Sequence, residues 1–171
     1  MLRRTIVFFL AVSGIAVVPA RAQNVPGCGP ANVKFDVSLA KASDSIPAPG
    51  AGNAILVFVQ NSWDKNPEGT PLTRFGIDGT WVGAAQGDAY FSVPVAPGEH
   101  HLCSNWQSKF GKIGDPRGTA ALHFIAEPGK TYFVGARYLF QAGLVDFEML
   151  DSDEAKLLMA SSYSATSHLK K

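Results

Sequence analysis

The sequence predicts an all-β protein: an antiparallel β-sandwich of about eight strands with a short C-terminal helix. Three observations carry that expectation. Short apolar runs, several of them alternating with polar residues, recur along the chain, the signature of half-buried strands. Two Pro-Gly turns, Ala96-Pro97-Gly98-Glu99 and Glu127-Pro128-Gly129-Lys130, separate four of these runs. Pro presets φ at the second turn position and Gly accepts a positive φ at the third. Asp78-Gly79 stands between two further runs, the strongest short-range hairpin signal. A Pro-Gly turn twists against the strands of a tight hairpin, so these two turns are expected to pass between sheets.

The elements follow in order. Arg3 and Arg4 precede the apolar run Ile6 to Val18, and Ala20-Arg21-Ala22 supplies small residues for cleavage. Residues 1–22 are therefore expected to be a secretory signal peptide, the run being shorter than the ~20 residues of a membrane span. Residues 23–53 hold a first strand, with Val33, Phe35, Val37 and Leu39 alternating against polar neighbours, and a Pro/Gly linker from Ser43 to Asn53. The core of the sandwich is expected over 54–150. Ala54 to Gln60 is continuously apolar, as in a central strand covered on both faces. Strands are expected at Leu72–Ile77, Thr80–Ala84, Ala89–Val95, Glu99–Trp106, Ala120–Ala126, Thr131–Leu139 and Leu144–Met149, with open loops at Asn61–Pro71 and Lys109–Gly118. On the Glu99–Trp106 strand, Leu102 and Trp106 share one face and His101, Cys103 and Asn105 the other. Residues 151–171 are expected to form a helix and a polar, frayed tail. Asp151 is its N-cap with Glu154 at capping-box spacing, and Ala155, Leu157, Leu158 and Met159 offer a covering face.

Charge excludes some partners. Cleavage after Ala22 takes the basic count from 15 to 12 against 14 acids, a net −2. That balance gives no electrostatic basis for binding nucleic acid or an anionic membrane. Export also sets the meaning of Cys28 and Cys103: in an oxidising compartment two cysteines are expected to pair. Closing a loop of roughly 75 residues is worth ~4–5 kcal/mol in the chain-entropy model. The alternative for Cys28 is a lipid anchor, since Val25-Pro26-Gly27-Cys28 has a faint likeness to a lipobox.

The order of the pieces resembles a known group. Ile77-Asp78-Gly79-x-x-Val82-Gly83 is followed by Tyr90-Phe91-x-x-x-Val95-x-Pro97-Gly98-x-His100-x-Leu102 and then Gly129-Lys130-x-Tyr132-Phe133-Val134. This resembles a family of small exported bacterial β-sandwich proteins of unknown function, over about Ala54 to Met149. The Pro97-Gly98-x-His100 unit is also similar to PEGA-type and carboxypeptidase-regulatory-like domains. The resemblance implies a transthyretin-like or Ig-like sandwich and an exported location, but no reaction. Phe133 stands where the family often has a second Tyr, and the Lys109–Gly118 loop is long.

No catalytic motif stands out. Ser, His and Asp occur without a G-x-S-x-G elbow, and a triad needs geometry that scattered residues do not supply. Gly50-Ala51-Gly52 precedes a strand from within a linker, which is the wrong context for a nucleotide loop. A metal site is the alternative function: His101 and Cys103 share a strand face and His123 lies one strand later, so soft ligands could converge. The leading expectation is a non-enzymatic binding or envelope-associated module without a cofactor. Its partner is expected to be an envelope protein or cell-wall component. Recognition usually resides in loops on a rigid scaffold, so Trp63 in one loop and Lys112, Asp115 and Arg117 in another are candidate contacts, with His100 and His101 at the sandwich rim.

Overall fold

The computed structural model describes residues 24–25, 28–41, 46–61, 72–107, 118–139 and 144–171. A two-residue ribbon, β1 (Asn24–Val25) and β2 (Gly29–Pro30), precedes β3 (Phe35–Lys41) and β4 (Ala54–Asn61). Then come β5 (Leu72–Ile77), β6 (Thr80–Gln86), β7 (Ala89–Val95), β8 (Gly98–Trp106), β9 (Thr119–Ala126), β10 (Thr131–Leu139) and β11 (Leu144–Leu150). The chain ends in α1 (Ser152–Ala160) and β12 (Tyr163–Leu169). A six-stranded sheet in the order β11-β10-β4-β7-β12-β3 faces a four-stranded sheet in the order β6-β5-β8-β9. The molecule is an all-β sandwich.

Each predicted turn has its expected place. Asp78 and Gly79 adopt φ of 50° and 78° and join β5 to β6 directly, the left-handed pair of a type I′ hairpin. Both Pro-Gly turns change sheets: β7 and β10 lie in the six-stranded sheet, and β8 and β9 in the four-stranded one.

Two expectations are corrected. The larger sheet is mixed rather than antiparallel, because β10 runs parallel to β4 from Thr131↔Ile55 to Arg137↔Asn61 and β12 runs parallel to β7. The sheet-changing turns are the cause. The chain leaves β4, returns antiparallel as β7, leaves again, and returns as β10 on the other side of β4. The continuous apolar run of β4 is what a strand with a parallel neighbour and two covered faces shows. Second, the C-terminal residues are not a frayed tail. Residues 163–169 form β12, which pairs with β3 from Tyr163↔Lys41 to Leu169↔Phe35.

Three apolar layers hold these elements. Between the sheets, Phe58 of β4 stacks near Phe75, Phe91 and Phe147 at centroid distances of 4.8, 5.2 and 6.5 Å, spacings at which aromatic pairs attract. On the outer face of the larger sheet, Ile55, Val57, Val59 and Phe133 pack under Ala155 and Met159 of α1. Asp151 caps that helix, its carboxylate accepting from the amides of Asp153 and Glu154 at 2.8 Å. These bonds hold the Asp151 carboxyl below its ordinary pKa. Of the predicted covering residues, Leu157 points to solvent, 74% exposed. The third layer lies on the outer face of the smaller sheet, where Cys28, Phe35, Trp81, Ala84 and Cys103 gather.

Candidate functional site

The Pro97-Gly98 corner packs against the Asp78-Gly79 hairpin through His100, which is buried at the head of β8. Its Nδ1 donates to Asp78 Oδ2 and its Nε2 to the Ala96 carbonyl, both at 2.8 Å. The other Asp78 oxygen accepts from the His101 amide at 2.9 Å. A carbonyl and a carboxylate only accept, so both ring nitrogens carry hydrogen and the charged imidazolium fits this place. Burial works against that charge, but the bonds to Ala96 and Asp78 outweigh it and raise the His100 pKa above 6.5. Burial likewise opposes ionisation of Asp78. The His101 amide and the His100 ring overcome it and hold the carboxyl below its ordinary 3.8. With both nitrogens occupied, His100 fastens the corner.

His101 lies on the opposite face of β8, directly across from His123 of β9. Their rings are 5.4 Å apart, and Glu99 Oε1 lies 3.1 Å from His123 Nε2 and 3.9 Å from His101 Nε2. All three side chains are more than half exposed. The third residue of the metal alternative is elsewhere: Cys103 forms a disulfide with Cys28, their Cα atoms 5.4 Å apart. Among the described residues, no group of three His, Cys, Asp or Glu is arranged to hold a metal ion.

The disulfide belongs to a seal that the sequence did not reveal. Arg74, on β5 between Thr73 and Phe75, is fully buried. Its guanidinium donates to the carbonyls of Ala31 (3.2 Å) and Val33 and to Asn105 Oδ1, and stacks 4.2 Å from the Trp81 ring centroid. Burial pulls its pKa down to about 10, and it stays charged at neutral pH. Trp81 Nε1 donates to the Pro30 carbonyl, and Gln107 both accepts from and donates to the Phe35 backbone. Gly76 allows the crossing, since a Cβ there would sit 2.9 Å from the Cys28 carbonyl oxygen. The N-terminal segment is thus bound down over the smaller sheet.

The larger sheet contains the opposite arrangement. β7 and β12 pair only at Ala89↔Tyr163 and Tyr90↔Ser164. Beyond that point β7 stays laddered to β4 up to Val95, and β12 to β3 up to Leu169. Their facing edges separate and open a slot of about 410 Å³. Tyr90, Ser92 and the Ile46-Pro47 segment line its outer part; Val82, Phe91, Val93 and Ala165 line its inner part. Ser164, Thr166 and Ser167 complete the β12 wall. Val82, Phe91 and Val93 point toward the core and are partly buried there, each lining the slot. No family model, curated protein or solved structure matches this chain.

The remaining sites compare as follows. Cys28 and Cys103 come together; His100 and His101 point to opposite faces of β8. Trp63, Lys112, Asp115 and Arg117 lie outside the described residues, as does the expected signal peptide over 1–22. Among the described residues no helix is long and apolar enough to cross a membrane. The slot had no single-residue signal. Its one legible trace is the run of small residues, three of them hydroxyl-bearing, in Ser164-Ala165-Thr166-Ser167.

Proposed function

We propose that this chain is a non-enzymatic, exported, envelope-associated binding module, and that the slot between β7 and β12 is its recognition site. The observation that carries this reading is the split itself: two neighbouring strands of one sheet stop pairing after two residues and leave core-facing Val82, Phe91 and Val93 only partly buried. A concave site with apolar walls and a few polar groups is the usual form of a binding pocket. Hydroxyls line this one, but among the described residues no acid, His, Lys or Cys does. A nucleophile there would have no adjacent base to activate it. The signal-like residues 1–22 and the Cys28–Cys103 disulfide support export. The resemblance of the Ile77–Gly83 and Tyr90–Leu102 segments to exported sandwich proteins points the same way.

Crosslinking pull-down of the tagged protein from its native envelope tests the reading, with Thr166→Trp beside the wild type. Thr166 is solvent-exposed on the β12 wall, so the larger ring obstructs the slot without entering the core. Its unfolding free energy should stay within ~0.5 kcal/mol of wild type. The expected result is a reproducible partner whose recovery falls about ten-fold in the variant, a loss of ~1.4 kcal/mol in binding. Equal recovery with both proteins, or no partner with either, overturns the proposal.

A further inference from the structure

The geometry points to an extended peptide as the slot's occupant, inserted as an added strand between β7 and β12; this rests on reading the slot as the recognition site. The walls are main chain before they are side chain. Each of the two strands uses its far edge in a ladder, β7 with β4 and β12 with β3, so its near edge faces the slot beyond Tyr90 and Ser164. A strand edge presents a regular row of N–H and C=O groups, for which another strand is the matching partner. The two walls start out parallel and thus offer both sides of an incoming strand the same hydrogen-bonding direction.

The gap is preformed. β12 is held toward the smaller sheet by the Ala84 amide, which donates to Ser167 Oγ at 3.1 Å. Gly83 makes that approach possible: a Cβ there would lie 2.7 Å from the Phe91 ring and 3.0 Å from Ser167 Oγ. Drawing β12 back onto β7 would break the bond from Ala84 to Ser167, so the two strands stay apart beyond their paired ends.

The lining also states the chemistry of the occupant. Side chains of an inserted strand alternate between faces. Those turned inward meet Val82, Phe91, Val93 and Ala165, and those turned outward meet Tyr90, Ser92, Thr166 and the Ile46-Pro47 segment. Among the described residues, no charged side chain lines the slot, and a buried charge without a partner is costly. The fitting segment is therefore uncharged, with apolar residues turned inward in alternation with uncharged residues turned outward.

Selection of a random twelve-residue peptide library on the purified protein tests this, followed by fluorescence anisotropy with the enriched peptide. A copy of that peptide N-methylated at alternate amides keeps its side chains but loses main-chain donors, and leaves the protein untouched. The expected result is enrichment of uncharged alternating sequences, with binding weakened at least about ten-fold by N-methylation and again by Thr166→Trp or Ser92→Trp. Undiminished binding of the methylated peptide, enrichment of charged or Pro-rich sequences, or no enrichment overturns strand insertion. If the envelope partner is still lost with Thr166→Trp in those cases, the slot remains a recognition site for another class of ligand.

Discussion

The two sheets treat their exposed surfaces in opposite ways. On the smaller sheet, a disulfide, a buried Arg74 and the Trp81 ring bind the N-terminal segment down until Cys28, Arg74 and Cys103 are 1% exposed or less. In the larger sheet, β7 and β12 abandon their pairing after two residues and leave a gap. Both regions depend on contacts far apart in sequence: Cys28 and Cys103 are separated by 75 positions, and Ala84 and Ser167 by 83. The difference lies in which groups have been satisfied. In the seal the terminal nitrogens of Arg74 find oxygen acceptors, although Arg74 Nε and Ser104 Oγ have none among the described residues; a row of strand edges facing a cavity is what a binding strand needs. The contrast separates a region closed by packing from the one proposed here for recognition.

The largest effect is expected from Arg74→Ala. It orphans the Ala31 and Val33 carbonyls and Asn105 Oδ1 and leaves a cavity beside Trp81. At ~1–3 kcal/mol for an orphaned buried group, with the cavity added, the loss should be about 3–5 kcal/mol in urea unfolding. A loss below about 1 kcal/mol would mean that the seal contributes little, and the comparison would fail on that side.

His100→Ala should cost less, ~1–3 kcal/mol, and the cost should depend on pH. The raised pKa of His100 gives stability that is fully present below 6.5 and is lost as pH rises through the folded value. The depressed pKa of Asp78 gives stability present above 3.8 and lost as pH falls. The difference between wild type and variant is therefore expected to be largest between about pH 4 and 6.5 and smaller near pH 9. Urea unfolding at about pH 5.5 and about pH 9 checks the sign. A difference that grows toward alkaline pH would show that the neutral ring holds the corner.

What the sequence disclosed was local. The Asp78-Gly79 turn, the two sheet-changing Pro-Gly turns and the Asp151 cap each depend on a few adjacent residues whose backbone preferences are strong. The alternation that placed Trp106 in the core needed only the period of a strand. The Cys28–Cys103 bridge was expected from there being two cysteines behind a signal-like N-terminal sequence. Arg74 gave no such sign. In Thr73-Arg74-Phe75 it resembles the solvent-facing member of an alternating strand, and only the crossing of residues 28–33 buries it. β12 was hidden for the same reason: Tyr163 to Leu169 has one buried apolar residue, Ala165, and becomes a strand because β3 pairs with it along its whole length. With β12 unseen, a gap beside it could not be anticipated, so the slot replaced the loops as the leading site.

The most direct test of the contrast is site-specific photocrosslinking in living cells. A photoreactive residue is placed at Thr166 on the open slot, and separately at Lys34, exposed on the sealed N-terminal cover. The account predicts a discrete crosslinked partner from position 166 and none from position 34. Equal products from both positions, or a partner captured at 34 alone, would contradict it.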